Sequence, residues 1–127
     1  MNINKSKLES KKLSRIVAKG MIEKKAMDIV ILDLQHIGQA VADFFVICSG
    51  NTVTQVDAIT DSVEETVYKL AEENPWRKEG KENKEWILLD YVDVVVHIFR
   101  KDRREFYTLE DLWGDAKITH ISSEEEL

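Results

Sequence analysis

One cysteine, Cys48, is all the chain has, and it falls inside the apolar run FFVIC. No CxxC or Cys/His spacing exists that could close a zinc site, and no disulfide framework can be drawn. A reducing compartment follows as the expectation. Long apolar runs are also missing: MNINKSKLESKKLS has no signal-type core, and nothing approaches the eighteen or so residues a membrane-spanning helix needs. These absences lead us to expect a soluble, cytoplasmic protein with no membrane partner. Walker loop, nucleophile elbow and His-rich metal motifs are absent too, so no motif implies a cofactor.

What is present is 127 residues with 43% hydrophobic content, enough for one core of ordinary size without covalent staples. Charge is unevenly shared. Residues 1–25 hold eight Lys/Arg against Glu9 and Glu23, a net +6, while the remainder holds ten against 22 acids, a net −12. Nonspecific affinity for nucleic acid comes from neutralising phosphates with cations, so an acidic body is not drawn to bare phosphate. It suits a basic protein partner, or simply keeps a small domain in solution.

Leu8, Leu13, Ile16, Val17, Met21 and Ile22 have helical spacing with lysines opposite. A stronger helix follows GNT, where Val53, Val56, Ile59, Val63, Val67 and Leu70 recur at three- and four-residue steps. Thr52 and Gln55 fit a capping box at its start, and Asn74-Pro75 stops it. Between the helices lie MDIVILDLQ and ADFFVICSG, β-branched and aromatic runs that suit central strands covered on both faces. NPWRKEGKEN reads as a polar connector, followed by strands at about 85–90 and 93–99 and a short helical finish, REFYTLEDLW. The expected fold is α/β (α+β), a compact single domain over 1–121 with a mixed sheet flanked by helices. SSEEEL, 122–127, reads as a disordered acidic tail.

The segment LLDYVDVVVHIF raises the functional question. A two-residue turn at Tyr91-Val92 would place Asp90 opposite Asp93, Leu88 opposite Val95 and Trp86 opposite His97. One face would then be wholly apolar, with Ile87, Leu89, Val94, Val96 and Ile98. The other would carry Trp86, Leu88, Asp90, Asp93, Val95, His97 and Phe99. Three readings compete for that second face. Asp90, Asp93 and His97 could bind a metal if a covering helix supplied Asp57, Asp61 or Glu64. They could be turn aspartates and a buried histidine. Or the aromatic centre bounded by acids could be a protein-binding surface. Two weaker anion sites are SGNT at 49–52, a strand-to-helix turn, and RKDRRE at 100–105.

Taken in order, ADFFVICSG at 42–50, Gln55-Val56, Glu79-Gly80, WILLDY at 86–91, DVVVHIF at 93–99 and REFYTLEDLW at 104–113 resemble the ribosomal silencing factor family, also called RsfS or Iojap-like. The likeness runs from about residue 8 to 118. It implies a nucleotidyltransferase-like fold without the active site, hence no catalytic residue, no metal and no cofactor. It further implies a translational repressor that binds the large ribosomal subunit through its fourteenth ribosomal protein and blocks joining of the small subunit. A nucleotidyltransferase pairs Gly-Ser with Asp-x-Asp, whereas here the order is Ser49-Gly50 and Asp90-x-x-Asp93. The alternative is a metal-dependent nucleotide-handling enzyme using Ser49, Asp90, Asp93 and His97. Val92 departs from the family's DYGD, where glycine would permit a positive φ. The expected partner-binding residues are Trp86, Leu88, Asp90, Asp93, His97, Tyr107, Glu110, Asp111 and Trp113. A minor rRNA contact through the basic N-terminal helix and a homodimer complete the expected partners.

Overall fold

A computed structural model describes the backbone of residues 3–107 and 114–127, and side chains over 9–104 and 114–127. The order is α1 (Ile3–Glu23), β1 (Met27–Asp33), β2 (Phe44–Gly50), α2 (Val53–Ala71), β3 (Arg77–Glu79), β4 (Trp86–Asp90), β5 (Val94–Arg100), α3 (Lys101–Tyr107) and β6 (Lys117–Ile121), with a 3-10 turn at Glu124–Glu126. The strands form one six-stranded mixed sheet in the order β3-β4-β5-β2-β1-β6. Only β2 and β5 run parallel, and β2, buried at every residue, lies near its middle.

Both long helices pack on one face. Leu13, Val17, Ala18 and Met21 of α1 and Val56, Ile59, Val63 and Val67 of α2 join Ile31, Val46, Leu89, Val96 and Ile98 in one cluster. The helices approach closely at Gly20, where a Cβ would come within 2.9 Å of the Val63 Cα. Ser62 Oγ donates to the Gly20 carbonyl at 2.7 Å, which satisfies a hydroxyl buried at that crossing. The start of α2 is capped as its sequence suggests, since Thr52 Oγ1 accepts the Gln55 N–H at 3.1 Å. The Gln55 carbonyl reaches back one residue further than a standard capping box, to the Asn51 N–H. The helix ends at a left-handed Glu72, three residues before the proline.

The opposite face carries a second cluster: Val30, Leu32 and Leu34 from β1 and the loop after it, Phe45 and Ile47 from β2, and Val95 and Phe99 from β5. Near-continuous apolar strands are thus buried on both faces.

Three features depart from the sequence reading. The β4–β5 register pairs Trp86 with Phe99, Leu88 with His97 and Asp90 with Val95, so the turn moves to Val92-Asp93. Val92 takes a φ of 75°, the conformation glycine serves in such turns. The connector after α2 contains the edge strand β3, and Lys117–Ile121 forms β6, whose residues are exposed except Ile121. Both are edge strands whose short, polar sequences lack an apolar pattern. The tail expected to be disordered instead carries the 3-10 turn, and Leu127 packs against the helix-side cluster.

Candidate functional site

The shift of register keeps every side chain on its predicted face, because it moves the pairing by two residues. Trp86, Leu88 and Asp90 of β4 therefore still share a face with Val95, His97 and Phe99 of β5. Tyr91 joins the helix side instead. The opposition of Asp90 to Asp93 does not occur, since Asp90 pairs with Val95.

His97 is only 3% exposed. Its Nδ1 accepts the Trp86 indole N–H at 3.0 Å, which puts the imidazole proton on Nε2. That Nε2 is buried and meets no partner among the described residues. Burial pushes the ring's pKa down to about 3, so the ring is neutral at physiological pH. The Phe45 ring meets it edge-on at 4.7 Å between centroids, and Trp86 stacks on Phe99 at 5.2 Å. His97 therefore does not lie on the surface as a contact of its own. It sits inside an aromatic box and fixes the half-buried Trp86.

Asp90 is half-buried and engaged: one oxygen accepts the Val92 N–H at 2.8 Å and the other lies 3.7 Å from the Arg77 guanidinium. Asp93 is exposed, and its carbonyl accepts from the backbone N–H groups of Asp43 and Phe44. Partial burial, then the Asp43 charge, raise the Asp93 carboxyl above its ordinary range. Glu73 is raised in the same way by partial burial, Asp93 and Glu9. This end of the sheet is a crowded acidic rim. Leu88 is half-buried beside Trp86 in the second cluster. The Tyr107 side chain and residues Glu110, Asp111 and Trp113 lie outside the described residues.

The metal and nucleotide readings are not assembled. Asp57 and Glu64 belong to α2, across the sheet from His97, and are paired with Lys84 and Lys78 at 2.6 Å. Among the described residues no group of three His, Cys, Asp or Glu could hold a metal ion. Ser49 aligns with Phe99 while Asp90 aligns with Val95, four residues along β5 or about 13 Å away. The Ser49 hydroxyl instead accepts from Arg104, which also donates to the Asp28 carbonyl. Arg100 is bound to Asp102, and Arg103 lies 3.5 Å from Glu85, so the arginines of RKDRRE are turned to internal partners.

Sequence reasoning missed Trp76, which is 75% exposed. Its backbone N–H donates to the Asp90 carbonyl at 2.7 Å, which carries the chain into β3 beside the acidic rim. The signal was a tryptophan in an otherwise polar connector, where no burial pattern demands one.

Residues 7–127 match the model of the family described as ribosomal silencing factor during starvation. A ribosomal silencing factor of Bacillus subtilis is 40% identical over 117 residues, covering 90% of this chain and 95% of the relative. A crystal structure of a Chromobacterium violaceum protein superposes with a TM-score of 0.76 at 27% identity, covering 90% of this chain and 93% of that one. A Bacillus halodurans crystal structure gives 0.72 at 34% identity, covering 89% and 99%.

Proposed function

We propose that this chain, which belongs to the ribosomal silencing factor family, binds the large ribosomal subunit at its intersubunit face and sterically blocks joining of the small subunit. Family membership supports a ribosome-associated silencing role. The finer assignment is that the fourteenth ribosomal protein of the large subunit is the chief partner.

The observation that carries the reading is the match of residues 7–127 to silencing factors. What the geometry contributes is a binding surface needing little reorganisation. Trp86 is held by an indole–imidazole hydrogen bond and stacked on Phe99, so little side-chain entropy is left to lose on binding. Leu88 extends the apolar centre, and Asp90 and Asp93 supply acidic charge suited to a basic ribosomal protein. Tyr107, Glu110, Asp111 and Trp113 complete the proposed contact set. His97 serves it from beneath, by positioning Trp86. Occupying a subunit interface requires no bond making or breaking, so the mechanism asks only for affinity and bulk.

The test is cosedimentation with isolated large subunits, combined with light scattering of subunit joining. Retention on large but not small subunits, with joining suppressed, is the expected result. Failure to cosediment at concentrations that saturate a family member would end the proposal.

A further inference from the structure

Across the sheet from Trp86, α1 carries a feature the ribosomal reading does not use. Lys11, Arg15 and Lys19 recur at four-residue steps, about 6 Å apart along one stripe of the helix. With Lys12 they rim a groove of about 630 Å³ whose floor is Ile16, Leu70 and Leu127. Leu70 is 49% exposed, which is unusual for an aliphatic side chain beside a packed helix pair. Lys11, Lys12 and Arg15 have no carboxylate partner among the described residues, while Lys19 lies 3.5 Å from Glu124.

The segment 124–127 shows what this groove accepts. Glu124 sets a carboxylate 3.5 Å from Lys19, and Leu127 packs against the helix-side cluster that Ile16 also joins. Lys11, Arg15 and Leu127 also line a second depression on the sheet side, together with Glu126. An acidic and apolar segment of the chain thus lies along the basic stripe, with open groove remaining beside it.

We infer that this groove is a second docking site, for an acidic, leucine-bearing peptide segment of a partner protein, with residues 124–127 as a competitor in cis. Charge complementarity selects an anionic partner. The apolar floor selects a peptide over RNA, because phosphate contacts need cations but gain nothing from Ile16 and Leu70.

The test uses fluorescence anisotropy on the full chain at low salt. The probes are a labelled peptide of three Glu-Glu-Glu-Leu repeats and a labelled oligouridylate of equal charge. Saturable peptide binding is expected, weakened about tenfold or more by Arg15→Gln and by Leu70→Asp. Both residues are solvent-facing, and a thermal melt checks that each variant remains folded. Glu124→Ala should tighten peptide binding several-fold by removing the carboxylate that competes for Lys19. Trp86→Ala should leave it unchanged, which separates this groove from the ribosomal surface. No binding up to about 1 mM, binding indifferent to Leu70→Asp, or tighter binding of the oligouridylate than of the peptide would each overturn the assignment. The last outcome would make the stripe an RNA contact.

Discussion

The two faces of the sheet are buried by different chemistry. On the helix side the cluster is mostly aliphatic, the hydroxyls of Ser14, Thr60 and Ser62 are spent on backbone carbonyls, and the Tyr91 hydroxyl alone among those named meets no partner among the described residues. On the other side, an imidazole stands among Phe45, Trp86 and Phe99 and leaves one nitrogen without a partner among the described residues. An all-apolar packing would be easier to stabilise, because an unsatisfied buried polar group costs about 1–3 kcal/mol. The difference teaches that the first face is built for stability, and the second gives some up to hold an indole in one orientation.

The largest expected effect breaks that comparison with acid. The ordinary His pKa near 6.5 falls to about 3 in the folded chain, because burial disfavours the charged ring. Between those values the unfolded state binds the proton and the folded state does not. Stability contributed by His97 is therefore complete above about pH 6.5 and is lost as pH falls toward 3, a change on the order of 5 kcal/mol. Asp93 and Glu73 act in the opposite sense, since their raised pKa values add stability as protons bind. Urea denaturation at pH 7 and pH 4 should show wild type losing much more stability than His97→Gln, which cannot titrate but can still accept from the indole. Equal losses would mean that His97 is not the acid-sensitive element.

Next in size is the surface itself. Trp86→Ala should weaken large-subunit binding by about 2 kcal/mol, roughly thirtyfold, as truncation of a central aromatic anchor does. The helix-side substitution Leu89→Ala should instead lower stability by about 2–5 kcal/mol while the folded fraction binds normally. Equilibrium binding corrected for folded fraction distinguishes the two. A Trp86→Ala protein that binds like wild type would remove the functional half of the contrast.

How far the sequence could carry these distinctions depends on the kind of signal. Period-two alternation assigned every β4 and β5 side chain to its face, and a turn misplaced by one residue did no harm because the register moved by two. Tyr91 was the exception, placed in the turn although its ring packs under the helices. Both helices were legible from spacing and from Thr52 with Gln55. The edge strands β3 and β6 were not, because an edge strand is selected for charge and polarity rather than for an apolar pattern. Whether His97 faced solvent or the interior was also beyond the sequence. The indole that engages Nδ1 comes from β4 and the Phe45 ring from β2, both separate from the strand that carries His97.

A smaller effect concerns the turn joining β4 and β5. Val92 sits at a φ of 75°, where its β-branched side chain clashes with its own backbone, and that side chain is 59% exposed. Val92→Gly should therefore raise stability by about 1 kcal/mol, seen as a higher Tm. A destabilised glycine variant would mean that the exposed valine makes a packing contribution outweighing its strain.

The smallest effect sharpens the comparison most, because it repeats the deletion of an orphaned polar atom on the helix side. Tyr91 is 5% exposed, and its hydroxyl meets no partner among the described residues. Burial and then the charges of Glu64 and Glu73 raise its pKa, which keeps the phenol neutral. Tyr91→Phe removes the unpaired group and preserves the ring, so stability should stay within about 1 kcal/mol of wild type, on the favourable side, with ribosome binding unchanged. Converting His97 to Phe also removes an orphaned nitrogen, yet it takes away the acceptor that orients Trp86. That variant should lose binding even where its stability is preserved. If Tyr91→Phe weakened binding as much as His97→Phe, the two unpaired atoms would be equivalent. The second face would then have no special claim to function.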